Sequence, residues 1–578
     1  MRQDLRQRGR AELRDCRKAS RALYWMVGIF SLFANLLMLT GPMYMLQVYD
    51  RVLGSKSEET LIALSLLVVF LYGVMGLLDY VRGRIMARVG ARFQAGLDRR
   101  VFDAVMRKAA LAPDARTQSG LSDLQAIQRL LTSPVLMAFF DLPWTPIFII
   151  AIFIFHPMLG WLAVGGGVLL ILIALANQLL SRRPQAQAGQ AGQVANGLSD
   201  QMRAEAEMVQ ALGMRAAAFD RWQQRRNSAL TSQIKAADIG GGFTSLTKTL
   251  RLFLQSAMLG LGAYLVLQGQ MTPGAMIAGS ILLGRALAPV ELMLTQWPVV
   301  QYGLKGWDAL SELLGEVPVE TPVTTLPAPE ARLVAQNLTV APPAQKTTAL
   351  RGLSFELEPG QALGVIGPSG AGKSTLARCL TGVWHPVAGS IRLDGATLDQ
   401  FSAEVRGRHI GYLPQRVALF DGTLAENIAR LSMSPDAEKV VAAAKRADAH
   451  QMILDLPNGY DTRIEAGQHR LSGGQIQRIG LARAFYDDPV VLVLDEPNSN
   501  LDNDGTLSLN RAIRTAKADG RSILIMAHRP AAIQECDMLL VLEKGARAAF
   551  GPRNEILKSM VRNHQDIQRA PGRAGGVA

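Results

Sequence analysis

A glycine-rich loop in the last third of the chain ends in a lysine and two hydroxyl side chains. Residues 367–375 fit the phosphate-binding pattern G-x-x-x-x-G-K-[ST], with Lys373 and Ser374 at its end. Lys373 is expected to neutralise the β- and γ-phosphates of a nucleotide, and the Ser374 hydroxyl to bind Mg²⁺. The loop alone therefore indicates a nucleotide and no particular reaction. Its residues are Gly367, Pro368, Ser369, Gly370, Ala371, Gly372, Lys373, Ser374 and Thr375.

Two adjacent carboxylates at the end of another apolar run could supply the rest of a hydrolytic site. Asp495 and Glu496 follow residues 490–494, a strand too apolar to tolerate an unpaired carboxylate cheaply. We expect Asp495 to serve a Mg²⁺ ion, directly or in its second sphere, and Glu496 to polarise an attacking water. An exposed turn after a core strand is the alternative, and the upstream phosphate loop argues against it.

Three further elements lie downstream of the loop. They are Gln415, the sequence Leu-Ser-Gly-Gly-Gln at residues 471–475, and His528 after a third apolar run. With the loop and the carboxylates, in this order, they resemble the ATPase domain of ABC transporters. The resemblance implies that Glu496 is the general base, that His528 contacts the γ-phosphate and orients the water, and that Lys373 acts with them. It also implies that Gln415 contacts Mg²⁺ and the coupling helices.

Residues 471–475 match the diagnostic signature of that family. The resemblance implies that Ser472, Gly473, Gly474 and Gln475 contact the ATP of the opposite subunit, the glycines allowing close approach to phosphate. One chain carries one signature and one ATPase, so the resemblance implies a homodimer with two composite sites that bind ATP and Mg²⁺. Exporters of the family place an aromatic residue before the phosphate loop to hold adenine. Residues 337–343 contain none, which leaves the adenine contact open.

The first half of the chain is strongly apolar. Hydrophobic residues make up 49% of the 578, and the mean hydropathy of +0.14 is high for an entirely soluble chain. They concentrate before residue 300 in runs of about 20 residues, the length that crosses a bilayer as a helix. A buried hairpin in a soluble domain is the alternative for one run, but not for six. The predicted spans are 24–46, 61–81, 135–155, 158–180, 252–269 and 272–294.

The basic residues predict which side of the membrane each end of the chain occupies. Residues 1–23 carry a series of arginines, whereas residues 268–274, between the last two spans, are uncharged. By the positive-inside rule the leader is cytoplasmic, and six spans return the ATPase to the same side. We therefore expect a multi-pass protein of the bacterial inner membrane with a cytoplasmic N-terminus and ATPase. The leader is expected to be a cytoplasmic segment that precedes the first span, and neither a cleaved signal peptide nor an N-terminal peptidase domain is expected.

Two long cytoplasmic excursions separate span two from three and span four from five. Apolar residues recur at every fourth position from Ile85 to Val105, which predicts a continuous helix leaving the membrane. A soluble helical hairpin with a charged face is the alternative. The expected domains are a leader 1–23, a transmembrane domain 24–314, a proline-rich linker 315–331, an ATPase domain 332–562 and a disordered tail 563–578.

The predicted fold class is an α-helical six-span transmembrane domain, of the kind found in type I ABC exporters, fused to an α/β P-loop ABC ATPase domain. Residues 39–53, 141–148 and 284–291 resemble the type I secretion permease/ATPases of the protease-secreting branch. The resemblance implies ATP-driven export of an unfolded protease, lipase or repeat-in-toxin protein with a C-terminal signal. It implies two partners, a periplasmic adaptor (membrane fusion) protein and an outer-membrane channel. One alternative is an exporter of lipid or small peptides on the same scaffold. The other is an ATP-gated channel or regulator, and the intact Glu496 argues against this second alternative.

Four ionisable side chains fall in or near the spans, namely Asp79, Asp141, Arg285 and Glu291. They could line the substrate path or lie at the membrane interface, as Asp79 beside Arg82 could, and the sequence leaves both interpretations open. The net charge of +13 concentrates near the cytoplasmic ends of the spans, so membrane lipid rather than nucleic acid is the expected partner. The three cysteines fall on the cytoplasmic side, and no disulfide is expected.

Overall fold

The chain folds into two compact units that meet in sequence between Val319 and Glu320. The computed structural model describes residues 2–111, 119–320, 326–343, 347–465, 471–527 and 530–559. Within this part of the chain, the first unit is helical and the second contains all the strands.

The first unit is built from long helices joined by short turns. A π-helical turn at Val48–Val52 and a 3₁₀ turn at Leu142–Trp144 interrupt the α-helical sequence. The α-helices of the described residues are α1 (Arg2–Lys18), α2 (Arg21–Leu37), α3 (Thr40–Gln47), α4 (Leu53–Ser55), α5 (Glu58–Leu111), α6 (Gly120–Thr132), α7 (Pro134–Asp141), α8 (Thr145–Phe155), α9 (Pro157–Ala204), α10 (Ala206–Ala211), α11 (Arg215–Leu267), α12 (Pro273–Thr295) and α13 (Trp297–Glu316).

Six helical stretches of the described chain are long and apolar enough to cross a membrane, which confirms the six predicted spans. Large apolar side chains on them are exposed, among them Leu66 and Phe70 at 66% each and Ile154 at 78%. Exposed apolar bands of this size are expected where lipid replaces water. The stretches are Arg21–Ser55, Glu58–Leu111, Pro134–Phe155, Pro157–Ala204, Arg215–Leu267 and Pro273–Thr295.

The first span is broken where the sequence predicted one helix over residues 24–46. α2 ends at Leu37 and α3 begins at Thr40, with Met38 and Leu39 forming the turn between them. Pro42 explains the break, because proline has no N–H to donate to the carbonyl four residues earlier, at Met38, and its ring crowds that carbonyl. The third span is interrupted in the same way by the turn that contains Pro143.

The helix of the second span continues far beyond the predicted span 61–81. α5 runs without a break for 54 residues, as its apolar spacing predicts. Its inner stripe is buried, with Phe93 at 2%, Leu97 at 3% and Val101 at 0% exposure, and it packs in one cluster with α6 and α13. The second excursion is likewise formed by the parts of α9 and α11 that lie outside the fourth and fifth predicted spans. The whole helices are 48 and 53 residues long.

The leader is a helix that packs along α13 at close range. A Cβ atom added at Gly9 would lie 2.1 Å from the carbonyl oxygen of Ser311, so only glycine permits this approach. The arginines of α1 are partly engaged by acidic residues, since Arg6 pairs with Glu312 and Arg10 with Asp308, each at 2.8 Å. The basic leader is therefore part of the folded unit.

The second unit is an α/β fold with two main sheets. The strands are β1 (Leu333–Val340), β2 (Leu350–Leu357), β3 (Ala362–Ile366), β4 (Ala388–Leu393), β5 (Ala396–Thr397), β6 (Ile410–Leu413), β7 (Gly422–Thr423), β8 (Arg463–Ile464), β9 (Val491–Asp495), β10 (Ser522–Ala527), β11 (Met538–Glu543) and β12 (Ala546–Pro552). The helices are α14 (Lys373–Leu380), α15 (Ala403–His409), α16 (Leu424–Ile428), α17 (Ala437–Arg446), α18 (His450–Leu454), α19 (Gly473–Phe485) and α20 (Asn503–Ala518).

The larger sheet sets the position of the chemistry. Its order is β12-β11-β3-β10-β9-β6, and the four strands from β3 to β6 run parallel to their neighbours. These strands are buried on both faces, as their continuous Val, Ile and Leu runs predict. β10 aligns Ala527 with Ile366 and Met526 with Asp495, so the carboxyl ends of β3, β9 and β10 lie at the same edge. Ligands of open α/β sheets bind at this edge.

Candidate nucleotide-binding site

The phosphate loop closes around its own lysine. It connects β3 to α14, and the Lys373 ammonium donates hydrogen bonds to the carbonyl oxygens of Gly367 at 2.7 Å and Pro368 at 3.0 Å. Gly372 adopts a φ of +103°, and a Cβ atom there would lie 2.7 Å from the Leu350 side chain. The N–H groups of the first turn of α14 have no partner within the helix and face this loop. The loop therefore offers a cation and backbone donors to a phosphate.

Asp495 is placed at the end of β9, beside the first turn of α14. It is 2% exposed, and burial raises the pKa of its carboxyl above the ordinary value. A hydrogen bond from Ser374 and the positive charge of Lys373 act in the opposite direction on that pKa. Burial also lowers the pKa of Lys373, against the charges of Glu496 and Asp495. The site thus holds opposite charges that have been partly removed from water.

Glu496 is held in an unusual backbone conformation. Its φ is +52°, in the left-handed region that costs a residue with a side chain about 1–2 kcal/mol. Its N–H donates to the carbonyl of Met526 at 2.9 Å, and its carboxylate accepts a hydrogen bond from the Gln415 amide at 3.1 Å. These contacts fix the direction of the carboxylate at the sheet edge. The strain is of the kind that proteins retain where a side chain must point at a reacting group.

The signature forms the start of α19. The Ser472 hydroxyl accepts from the N–H of Gln475 at 3.3 Å, while the Gln475 amide oxygen accepts from the N–H of Ser472 at 2.8 Å. This reciprocal cap uses both polar side chains of the signature. What remains for a ligand is the exposed helix start, with the backbone N–H groups of Gly473 and Gly474. The S-x-x-Q spacing in the sequence was the available signal for this cap.

Gln477 is a positioning residue that sequence reasoning missed. It is 2% exposed, and its amide donates to the carbonyl of Pro497 at 3.2 Å. The bond joins the signature helix to the turn that follows Glu496. A glutamine in the buried face of a helix was the only trace of it in the sequence.

The structure gathers the residues of the predicted site into two groups. Lys373, Ser374, Asp495, Glu496 and Gln415 lie together at the sheet edge, joined by the contacts above. In the described chain, the side-chain hydrogen bonds of the signature stay within the signature. His528 lies outside the described residues, so its predicted role stays a prediction.

Comparison with known proteins assigns both units. The model of the ABC transporter family matches residues 350–499, and that of the ABC transporter transmembrane region matches residues 24–288. The type I secretion system ATP-binding protein PrsD of Rhizobium meliloti (strain 1021) is 41% identical over 96% of this chain and 95% of its own length. The chain belongs to the type I secretion ATP-binding proteins of the ABC transporter family. The predicted family, and with it an ATPase coupled to export, is confirmed.

Two other similarities support the assignment. The leukotoxin translocation ATP-binding protein LktB of Mannheimia glucosida is 28% identical over 92% of this chain and 76% of its own length. A bacterial Atm1-family ABC exporter solved with ATP bound has a TM-score of 0.78 over 96% of this chain and 99% of that one, at 22% identity. The second likeness concerns the fold, and it confirms the predicted fusion of an exporter transmembrane domain to an ABC ATPase.

The charged residues noted in the spans are mostly paired in this transporter. Arg82 contacts Asp79 at 3.0 Å and Asp141 at 2.8 Å, and Arg251 contacts Glu291 at 3.0 Å. Arg285 makes no ion pair with any described residue. Pairing reduces the cost of placing these charges in an apolar environment. Arg285 differs from the other three residues in having no such partner among the described residues.

Proposed function

We propose that this chain acts as a homodimer in a bacterial inner membrane and uses ATP to export an unfolded protein with a C-terminal signal. The cytoplasm holds its N-terminus and ATPase, and a periplasmic adaptor and an outer-membrane channel complete the route. Full-length similarity to a type I secretion protein carries this proposal. The arginine-rich leader and the uncharged residues 268–274 support the orientation.

The hydrolytic roles follow from the charges and hydrogen-bond donors at the sheet edge. Lys373 and the N–H groups at the start of α14 bind the β- and γ-phosphates. Glu496, aimed by its backbone and by Gln415, accepts the proton of the attacking water. His528 is proposed to orient that water.

Oxygen donors next to the phosphate loop fit a Mg²⁺ ion. The Ser374 hydroxyl and the Asp495 carboxylate are already hydrogen-bonded, and the Gln415 amide lies beside Glu496. Hydroxyl, carboxylate and amide oxygens are the ligands that Mg²⁺ prefers, and these three side chains would hold it. When bound, the ion neutralises charge on the phosphates. The raised pKa of Asp495 in the free protein fits a carboxylate whose full stabilisation needs a cation.

The signature is proposed to contact ATP bound by the partner subunit. Its own side chains cap α19, which leaves the N–H groups of Gly473 and Gly474 for an anion supplied from outside this group. Cross-linking tests this directly, with cysteines at Ser369 and Ser472, both exposed, in a chain that lacks Cys16. Cys379 and Cys536 can stay, because burial raises the pKa of each thiol to about 12 and suppresses the reactive thiolate.

The expected result is an ATP-dependent disulfide dimer on a denaturing gel. The matched control, Ser472→Cys without the Ser369 change, should give none. A disulfide confined to one chain would contradict the composite site.

Secretion tests the export function. Removing this chain from its organism should remove specific proteins from the medium, and wild-type chain but not Glu496→Gln should restore them. An unchanged set of extracellular proteins would contradict protein export. A lost lipid or small peptide in its place would favour the alternative cargo on the same scaffold.

A further inference from the structure

A half-open pocket of about 410 Å³, called the cavity below, lies between α2, α5, α7 and α12 of the membrane unit. Its wall is unusual for a membrane protein because it brings together several polar and charged side chains. They are Asn35, Asp79, Arg82, Thr132, Asp141 and Arg285. Ionisable groups at such positions are costly and mark functional sites by default.

One of the two cations in this wall is already fully engaged. Arg82 has a side-chain exposure of 8% and donates two hydrogen bonds to Asp141, at 2.8 and 3.3 Å, and one to Ser31 at 3.0 Å. Its Nε also lies 3.0 Å from Asp79, and Asn35 donates to Asp141 at 2.7 Å. Arg82 is therefore the internal partner of both carboxylates and has little capacity left for a ligand.

The other cation, Arg285, lines the same cavity. It is an exposed residue in the middle of α12, and among the residues that the structure covers its guanidinium has neither a hydrogen-bond nor an ion-pair partner. A guanidinium offers a planar fork of donors that matches a carboxylate in two places. Arg285 therefore has no anionic partner among the described residues, and a carboxylate has the geometry that would fit it.

The backbone at the same position also offers an acceptor. Pro289 lies within α12, and it has no N–H to donate to the carbonyl of Arg285, four residues earlier. The next carbonyl, that of Ala286, receives a hydrogen bond from the Thr145 hydroxyl at 3.1 Å. Arg285 therefore presents a charged donor and a backbone acceptor, the pair that an acidic peptide segment would satisfy.

We propose that this cavity binds an acidic segment of the polypeptide in transit, with Arg285 as the residue that pairs with its carboxylate. The inference rests on the proposed export of protein and names a chemical preference for that cargo.

The test uses the full-length protein in neutral lipid nanodiscs and two short peptides that differ only in having glutamate or glutamine. Wild type should bind the glutamate peptide about tenfold more tightly, the effect of roughly one charge-assisted hydrogen bond. Arg285→Gln should abolish this preference, and Arg285→Lys should retain part of it because it keeps the charge but loses the fork. Arg182→Gln, at an exposed arginine of α9 that does not line this cavity, is the matched control.

Each outcome bears on the inference. A preference that survives in Arg285→Gln, or that falls equally in Arg182→Gln, overturns it. If Arg285 only balances the charge of Asp79, then adding Asp79→Asn to Arg285→Gln would restore the preference, which would also overturn it. Equal binding of both peptides overturns the acidic preference and leaves protein export standing, whereas binding of neither peptide counts against export of polypeptides as well.

Discussion

The phosphate loop and the signature of the ATPase unit hold their polar side chains in a different way from the arginines of the membrane unit. In the ATPase unit, Lys373 bonds to carbonyls five and six residues away, and Ser472 exchanges hydrogen bonds with Gln475 three residues away. In the membrane unit, Arg82 reaches Asp141 across 59 residues and Arg6 reaches Glu312 across 306. Local partners are supplied by the segment itself, whereas distant partners depend on how helices pack. Substitutions should therefore change chemistry in the ATPase unit and folding in the membrane unit.

The largest expected effect is on ATP turnover. Glu496→Gln keeps the size of the side chain and removes its ability to accept a proton, so steady hydrolysis should fall by about 10²–10⁴-fold. ATP binding, measured separately, should persist because the phosphate loop is intact. Glu543→Gln, the same change at an exposed position on β11, should leave turnover unchanged. Normal hydrolysis in Glu496→Gln would remove Glu496 from the role of base.

The largest expected effect on stability is in the membrane unit. Arg82→Gln leaves Asp79 and Asp141 without their cation, and breaking a buried pair costs about 3–5 kcal/mol. The measurement is thermal unfolding of the purified protein in detergent. Arg6→Gln is the control, because its pair with Glu312 is 54% and 32% exposed and such pairs contribute about 1 kcal/mol or less. Equal losses in the two variants would contradict the distinction between buried and exposed pairs.

A smaller effect tests the close approach of α1 to α13. Gly9→Ala places a methyl group 2.1 Å from the Ser311 carbonyl oxygen, which should cost about 1–3 kcal/mol as the helices separate. Gly28→Ala, at a helical glycine with open space around it, should be neutral or slightly stabilising. Limited proteolysis of the N-terminal helix would show the difference. Protection of α1 in both variants would mean that this contact does not hold it.

The smallest expected effect is a gain of stability, and it lies in the ATPase unit. Burial raises the pKa of Asp495, so its charged form destabilises the free protein above that pKa and the cost disappears as the pH falls through it. At neutral pH, Asp495→Asn should therefore stabilise the unliganded protein by about 1 kcal/mol while abolishing hydrolysis. The gain in melting temperature should shrink in acid, where the wild-type carboxyl is protonated. A loss of stability at neutral pH would show that Ser374 and Lys373 outweigh burial.

Much of the ATPase site was predictable because its parts are contiguous. The loop of Lys373, the strand before Asp495 and the cap of Ser472 each depend on neighbouring residues, and the sequence contains them whole. The positive φ of Glu496 and the bond from Gln477 to Pro497 were not predictable. Both depend on contacts between segments that are distant in sequence and lie together at the sheet edge. The spacing of residues along the chain does not predict such contacts.

The six spans were predictable for a similar reason, since hydropathy sums over adjacent residues. The break at Met38 could have been anticipated from Pro42, because proline affects the carbonyl four residues before it. The leader was expected to be a basic prelude to the first span, and its packing on α13 was not foreseen. That contact depends on Gly9 and Ser311, which only the fold brings together.

By itself, the sequence determined that this protein binds a nucleotide through a phosphate loop, crosses a membrane six times and belongs with the ABC exporters. These properties reside in short segments whose chemistry is complete within a few turns or strands. The tertiary structure alone decided that Arg82 also pairs with Asp141 and that Arg285 lines a cavity without a partner among the described residues. A charge in an apolar environment is costly without a partner within a few ångströms. Which residues supply that partner depends on the packing of four helices that are distant in sequence.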